Sequence, residues 1–181
     1  MTREEPIGFW RLSETQEILL RHYTAHETVW DFGAGNLSLA HYLMEYGRPI
    51  PGTIYAVEKE LSSTQEWIQI EGVTQVPHCF KDINPLRIDT QSVGLLSWPQ
   101  NAPLHGLEAL LDRCDTVVYI GKCDDTTVCG TAALWEYLQT RSVLAVIYDK
   151  HDMVVYGQPG VGTVRNGRKR LPLSGIEDGY T

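Results

Sequence analysis

The sequence predicts an α/β domain built on one doubly wound, mainly parallel sheet with an antiparallel edge hairpin. Three observations carry that expectation. From Thr28 onward, short apolar runs of strand length alternate with amphipathic segments of helix length, and strands joined by helical crossovers pair in parallel. Two late runs depart from this pattern, because only the turn Asp149-Lys150-His151-Asp152 separates them, and strands joined so tightly pair antiparallel. Finally, 181 residues, 43% hydrophobic and 21% charged, suffice for one buried core and fall short of two full-sized domains.

The first element is a helix. Ser13-Glu14-Thr15-Gln16 fits a capping box, and Ile18, Leu19, Leu20 and Tyr23 then recur at helical spacing up to about Thr24. A strand follows over Thr28 to Phe32, a helix over Leu37 to Tyr46, a strand over Thr53 to Val57 and a helix over Ser62 to Ile70. A weaker strand is expected over Gln75 to Phe80 and a clear one over Ser92 to Ser97. The helix Leu104 to Cys114 leads into the strongest strand, Thr116 to Ile120, and a helix over Thr131 to Thr140 leads into the hairpin strands Ser142 to Tyr148 and Met153 to Tyr156. Beyond Tyr156 turn formers replace apolar residues, so residues 1–156 are read as the domain and 157–181 as a loosely ordered tail.

Composition narrows the function classes. No apolar run approaches the roughly 20 residues that span a bilayer, so no membrane association is expected. The N-terminal Met1-Thr2-Arg3-Glu4-Glu5-Pro6 has acids where a signal peptide has bases, which predicts a cytoplasmic location. Cys79, Cys114, Cys123 and Cys129 lack the paired spacings of a zinc site, so free thiols and no metal are expected. A net charge of -8 disfavours indiscriminate attraction to nucleic acid phosphates.

Open α/β sheets bind ligands where strand ends turn into helices. The first such turn is Asp31-Phe32-Gly33-Ala34-Gly35-Asn36. Gly33 and Gly35 let the backbone turn tightly and approach a ligand, and Asn36 tolerates unusual dihedrals and caps the helix beginning at Leu37. A plain tight turn is the structural alternative. A dinucleotide site calls for a third glycine where this chain has Ser38, which lowers the nicotinamide-dinucleotide reading. Asp31 brings a negative charge that suits a cationic, amino-bearing ligand, and S-adenosylmethionine carries both an ammonium and a sulfonium. The second strand ends on Glu58, where a carboxylate can accept hydrogen bonds from both ribose hydroxyls, and Asp82 with Ile83 follows the third strand, where adenine would lie.

With these residues in place the sequence resembles the class I, Rossmann-like S-adenosylmethionine-dependent methyltransferases. The matching motifs are Asp31-Phe32-Gly33-Ala34-Gly35 for their D-x-G-x-G turn, Glu58 for the acid after strand two, Asp82 for the adenine-side acid, and Ser97-Trp98-Pro99 for the motif after strand four. The resemblance covers roughly residues 13 to 156. It implies that Asp31, Gly33 and Gly35 contact the methionine part, Glu58 the ribose, and Asp82 and Ile83 the adenine, with Ser97, Trp98 and Pro99 bordering the methyl group. Two departures stand out. The strand-four motif is not of the N-P-P-Y type, and the usual third glycine of the turn is Leu37.

On the acceptor side the candidates are Trp98, Asn101 and His105, together with the loop Gly121 to Thr127. Methyl transfer to an activated sulfonium relies on positioning and desolvation more than on a fixed base. Trp98 and His105 are therefore the candidate catalytic side chains, set against a core tryptophan and a surface histidine as their bland readings. The acceptor is expected to be a small molecule or a protein, with a partner protein completing the site as a further option, because the chain has almost no insertion to form a substrate domain. The basic stretch Arg165, Arg168, Lys169 and Arg170 is read as a solubilising tail in preference to a nucleic-acid arm. A catalytically silent module of the same fold, binding a protein or nucleic acid, is the alternative function.

Overall fold

The structure, a computed structural model, describes residues 12–25, 28–35, 37–45, 52–59, 70–100, 104–123 and 129–160. Helix α1 (Glu14–Thr24) begins with the capping box foreseen in the sequence: the Ser13 N–H donates to Gln16 Oε1 at 3.1 Å and the Gln16 N–H to Ser13 Oγ at 3.3 Å. Strand β1 (Val29–Phe32) then enters the sheet, and α2 (Ser38–Glu45) carries the chain over to β2 (Ile54–Val57). Strands β3 (Val73–Val76), β4 (Val93–Ser97) and β5 (Thr116–Gly121) follow, with α3 (Leu104–Leu111) before β5 and α4 (Ala132–Leu138) after it. The hairpin of β6 (Arg141–Tyr148) and β7 (Asp152–Pro159) ends the described chain.

The seven strands lie in the order β3-β2-β1-β4-β5-β7-β6. The first five run parallel, β7 pairs antiparallel with β5, and β6 pairs antiparallel with β7. This is the expected doubly wound sheet with its antiparallel edge hairpin. Both faces are covered, which is why every residue of β1 and of β5 is buried. On one face Val29, Leu95 and Val118 pack with Leu20 of α1 and Leu39, Ala40 and Leu43 of α2. On the other, Trp30, Phe32 and Tyr119 pack with Leu107, Leu110 and Leu111 of α3 and Leu134 and Leu138 of α4. The chain winds outward from β1 through β2 to β3 and returns to β4 on the opposite side of β1, so the order reverses between β1 and β4. Such a switch point leaves a crevice at the carboxyl ends of the strands.

Three stretches differ from the sequence reading. The third strand runs from Val73 to Val76, where Gln75 to Phe80 was expected, because Pro77 has no N–H to continue the ladder and Phe80 to Asp82 form a 3₁₀ turn. The helix expected over Leu104 to Cys114 is broken at its start by His105 (ψ 115°) and Gly106 (φ 85°), so regular helix begins only at Leu107. Gly157 to Pro159, read as the start of a tail, extend β7, where Pro159 lies opposite Arg141. Most of the helix expected over Ser62 to Ile70 lies outside the described residues, as do Asn36, Asn101, the loop residues 124–128 and the basic stretch beyond residue 160.

Candidate functional site

The turn after β1 is held by main-chain bonds. The N–H groups of Gly33 and Ala34 both donate to the Val57 carbonyl, at 2.9 and 3.0 Å, which hooks the turn over the end of β2. Gly33 and Gly35 take left-handed φ values of 81° and 54°, and a Cβ built on either would have no atom within 4 Å. The glycines thus expose bare backbone to open space. Leu37, standing where the related motif has its third glycine, also takes a left-handed φ of 64° with its side chain buried, and the packing of that side chain offsets the strain.

Glu58, the residue that follows β2, is fixed against this turn. Its Oε2 accepts the Gly35 N–H and its Oε1 the Lys59 N–H, each at 3.0 Å. Each carboxylate oxygen retains a further lone pair for hydroxyl donors.

A cleft of about 400 Å³ opens beside these groups, within the usual size of a small-molecule site. Gly33, Gly35 and Glu58 form one side, and Trp98 with Pro99, just past β4, form another. Aromatic surface comes from Phe32 and from Phe80, whose rings meet edge to face at 6.1 Å. The structure therefore brings together four of the residues singled out in the sequence, Gly33, Gly35, Glu58 and Trp98, along with Pro99.

The others sit apart from the lining. Asp31 is buried in β1, Ser97 is half-buried on β4, Asp82 is exposed, and Ile83 is buried in the core against α3. His105 is exposed at the irregular start of α3. Asn36 lies outside the described residues. The sequence reading missed His78, Cys79 and Phe80, which line the cleft in the segment where Asp82 was expected to act. Pro77 was the available signal: it ends β3 early, and the residues directly after a strand end are those that face the crevice.

Gly106 holds this segment in place. A Cβ there would lie 2.4 Å from Lys81 N and 2.5 Å from Lys81 Cα, so α3 approaches the 3₁₀ turn more closely than any side chain allows.

Two buried groups lend the site its electrostatic character. Asp31 is 1% exposed, and neither carboxylate oxygen has a hydrogen-bond partner among the described residues. Burial, with a smaller contribution from the Glu58 charge, raises its pKa from 3.8 to about 7. Trp98 has a left-handed φ of 48°, and its N–H donates to the Ile120 carbonyl at 2.8 Å, which hooks it over β5. Its indole N–H is buried without a hydrogen-bond partner among the described residues. The ring stands edge-on to His151 of the β6–β7 turn at 5.4 Å, and the carbonyl of His151 accepts from Gln16 Nε2 of α1 at 2.5 Å. One cleft wall is therefore braced by α1 and the hairpin together.

None of the four cysteines is in a disulfide. Among the described residues no group of three or more His, Cys, Asp or Glu is placed to hold a metal ion, and no helix is long and apolar enough to cross a membrane.

No protein-family model matches the chain, and no curated protein matches it in sequence. Solved structures do match it. Precorrin-6y C5,15-methyltransferase from Geobacter metallireducens GS-15 superposes with a TM-score of 0.55 at 15% identity, covering 87% of this chain and 94% of that one. Human N-acetylserotonin methyltransferase, in complex with S-adenosylmethionine, gives 0.50 at 13% identity over 76% of this chain; the chain spans 49% of that enzyme's length. A protein described as a pericyclic reaction enzyme gives 0.54 at 14% identity over 87% of this chain and 50% of its own. At these identities the likeness speaks for the fold. The chain thus has the Rossmann-like fold of the class I methyltransferases, with a cleft at the carboxyl ends of its parallel strands.

Proposed function

We propose that the cleft binds S-adenosylmethionine and that the chain transfers its methyl group to an acceptor. The observation that carries this reading is the juxtaposition of bare glycine backbone at Gly33 and Gly35 with the carboxylate of Glu58, fixed at 3.0 Å from the Gly35 amide. The residues fit the ligand chemically. Asp31, outside the cleft lining and without a hydrogen-bond partner among the described residues, is the buried acid we assign to the ligand's ammonium group, and the open side of the two glycines leaves room for the aminoacyl chain. Glu58 can accept both ribose hydroxyls. Val57 and Phe80 supply apolar surface for a purine, in the place assigned from sequence to Asp82 and Ile83.

When bound, S-adenosylmethionine supplies a methyl group on a positively charged sulfur, already activated for displacement. The chain's own contribution is to orient and to exclude water. Trp98 and Pro99 cover the β4 side, and the brace from Gln16 through His151 keeps the Trp98 ring fixed. His105, exposed and apart from the lining, is left to contact the acceptor at most. Positioning of this kind is sufficient for an in-line displacement.

Equilibrium binding tests the reading. S-adenosylhomocysteine is expected to bind the wild-type chain, and Glu58→Ala to weaken it at least about tenfold through the loss of charge-assisted hydrogen bonds. A folded wild-type chain with no affinity for either nucleoside would overturn it.

A second reading, catalysis in the same cleft of a reaction other than methyl transfer, draws on one observation: the fold is shared with a protein described as a pericyclic reaction enzyme. A radiolabelled methyl group appearing on any product in a cell extract excludes that reading.

A further inference from the structure

We propose, on the reading of the cleft as a nucleoside site, that Gln16 is a positioning residue for it, so that docking of helix α1 and binding of the nucleoside are coupled. Gln16 is fully buried, and both ends of its side-chain amide are used. Oε1 accepts the Ser13 N–H at 3.1 Å and closes the capping box, while Nε2 donates to the carbonyl of His151 at 2.5 Å. A capping box needs only an acceptor at this position, which glutamate supplies equally well. The amide N–H is what the second bond requires, and that bond spans 135 residues of sequence.

The long bond fixes the β6–β7 turn. The same His151 carbonyl accepts the Asp149 N–H at 3.1 Å, and the next residue, Asp152, accepts the Cys123 N–H through Oδ2 at 2.7 Å, which ties the turn to the end of β5. Between these anchors the His151 ring meets the Trp98 ring edge to face. Trp98 depends on such support. Its φ of 48° is costly for a residue with a side chain and persists only where the surroundings enforce it. Ile120 holds its main chain, while its ring is held by His151 and by the core cluster that also receives Leu12, Leu19 and Tyr23. Gln16 does not line the cleft; it acts through His151 on a residue that does.

Helix α1 supplies the two arrangements that coupling requires. At 11 residues it is too short to be a stable helix on its own, so it stays helical by docking. Of the three residues it buries, Gln16, Leu20 and Thr24, only Leu20 is apolar, which gives the Gln16 bond a large share of the seam. With α1 docked, the turn holds Trp98 in the cleft wall. With α1 undocked, the turn and the ring lose that restraint. A ligand that packs on the Trp98 wall favours the docked arrangement, and by linkage docking favours the ligand to the same extent.

The test uses the full chain. Gln16→Glu separates the two roles of the side chain, since it keeps an acceptor for Ser13 and removes the donor to His151, and Gln16→Met removes both without adding charge. Fluorotryptophan incorporated into the ligand-free chain reads the wall directly: of the five tryptophan resonances, the one missing in Trp98→Phe belongs to Trp98. Both Gln16 variants, folded by circular dichroism, are expected to shift or broaden it, and Ile18→Ala, on the exposed side of α1, to leave it unchanged. Identical Trp98 resonances in wild type and in both Gln16 variants overturn the proposal. Both Gln16 variants are also expected to bind S-adenosylhomocysteine at least about fivefold more weakly than wild type, and the bound nucleoside to slow hydrogen exchange of the α1 amides in wild type by a similar factor. Unchanged affinity in both variants, or α1 exchange that does not respond to bound nucleoside, overturns the coupling. A wild-type chain that binds no nucleoside overturns the reading of the cleft instead, and the ligand-free resonance still decides whether Gln16 positions Trp98.

Discussion

At the scale of single residues, Asp31 is a buried carboxylate with no hydrogen-bond partner among the described residues. Its pKa is raised from 3.8 to about 7 by burial first and by the Glu58 charge second, so the folded chain holds a proton there that the unfolded chain has released. Between pH 4 and 7 the native state binds the extra proton, and stability therefore falls as pH rises through that window and levels off above it. The difference of about three units corresponds to a cost on the order of 4 kcal/mol above pH 7. Asp31→Asn is expected to remove this slope from denaturant unfolding followed across the window. An equal slope in wild type and variant would refute the assignment. A ligand ammonium beside the carboxylate reverses the balance by favouring the charged form. Binding of S-adenosylhomocysteine is accordingly expected to release a proton near pH 6, visible by calorimetry as a binding enthalpy that depends on buffer ionisation, and to strengthen as pH rises toward 7. The identity of Asp31, the glycines and Glu58 was legible in the sequence because strand-end turns are local. That no described residue donates to Asp31 was not, since it depends on what α1 and α2 bring to that face of the sheet.

Among the elements, the sequence spoke clearly where periodicity and length agree, and less so where a single residue decides. Strands β1, β2, β4 and β5 fall within a residue of their expected limits, because runs buried on both faces are apolar throughout. Pro77 and Gly106 are the exceptions, and both shape the cleft. The first ends β3 and frees His78 to Phe80 to line it. The second admits the backbone of the Phe80–Asp82 3₁₀ turn to within van der Waals contact of the start of α3, a tertiary approach that no local pattern encodes. Gly106→Ala would place a methyl group 2.4 Å from Lys81 N at a left-handed φ of 85°. Because the obstructing atoms are backbone, the clash can be relieved only by shifting α3 from the turn. The expected loss is about 2 kcal/mol or more in unfolding free energy, together with weaker nucleoside binding through displaced Phe80. A loss below about 0.5 kcal/mol would show that α3 adapts freely at that position.

Over the whole molecule, the two ends of the sheet divide the work. The carboxyl edge holds open glycine backbone, a carboxylate without a partner among the described residues and a tryptophan in a strained conformation, all of which cost stability. At the amino end of β5, Arg141 does the opposite. From the start of β6 its guanidinium donates to the carbonyls of Leu111 at 3.0 Å, Cys114 at 2.7 Å and Gly157 at 2.7 Å, and to the Tyr137 hydroxyl at 3.3 Å, whose own proton goes to Asp112 at 2.6 Å. One side chain thereby closes the end of α3, the entry to β5, the far end of β7 and the last turn of α4, and the carbonyls at the C-terminus of α3 present the negative end of the helix dipole to its charge. Removing it leaves several buried acceptors without a donor. Arg141→Met is expected to lower the unfolding free energy by about 3 kcal/mol or more. Arg141→Lys is expected to recover only part of the loss, because a single ammonium cannot span acceptors on separate elements as the planar fork does. Since this network lies at the opposite end of β5 from the cleft, the variants that remain folded are expected to bind S-adenosylhomocysteine with wild-type affinity. A matched loss of affinity and stability would instead mean that the hairpin transmits strain from Arg141 along β7 to His151 and so to Trp98.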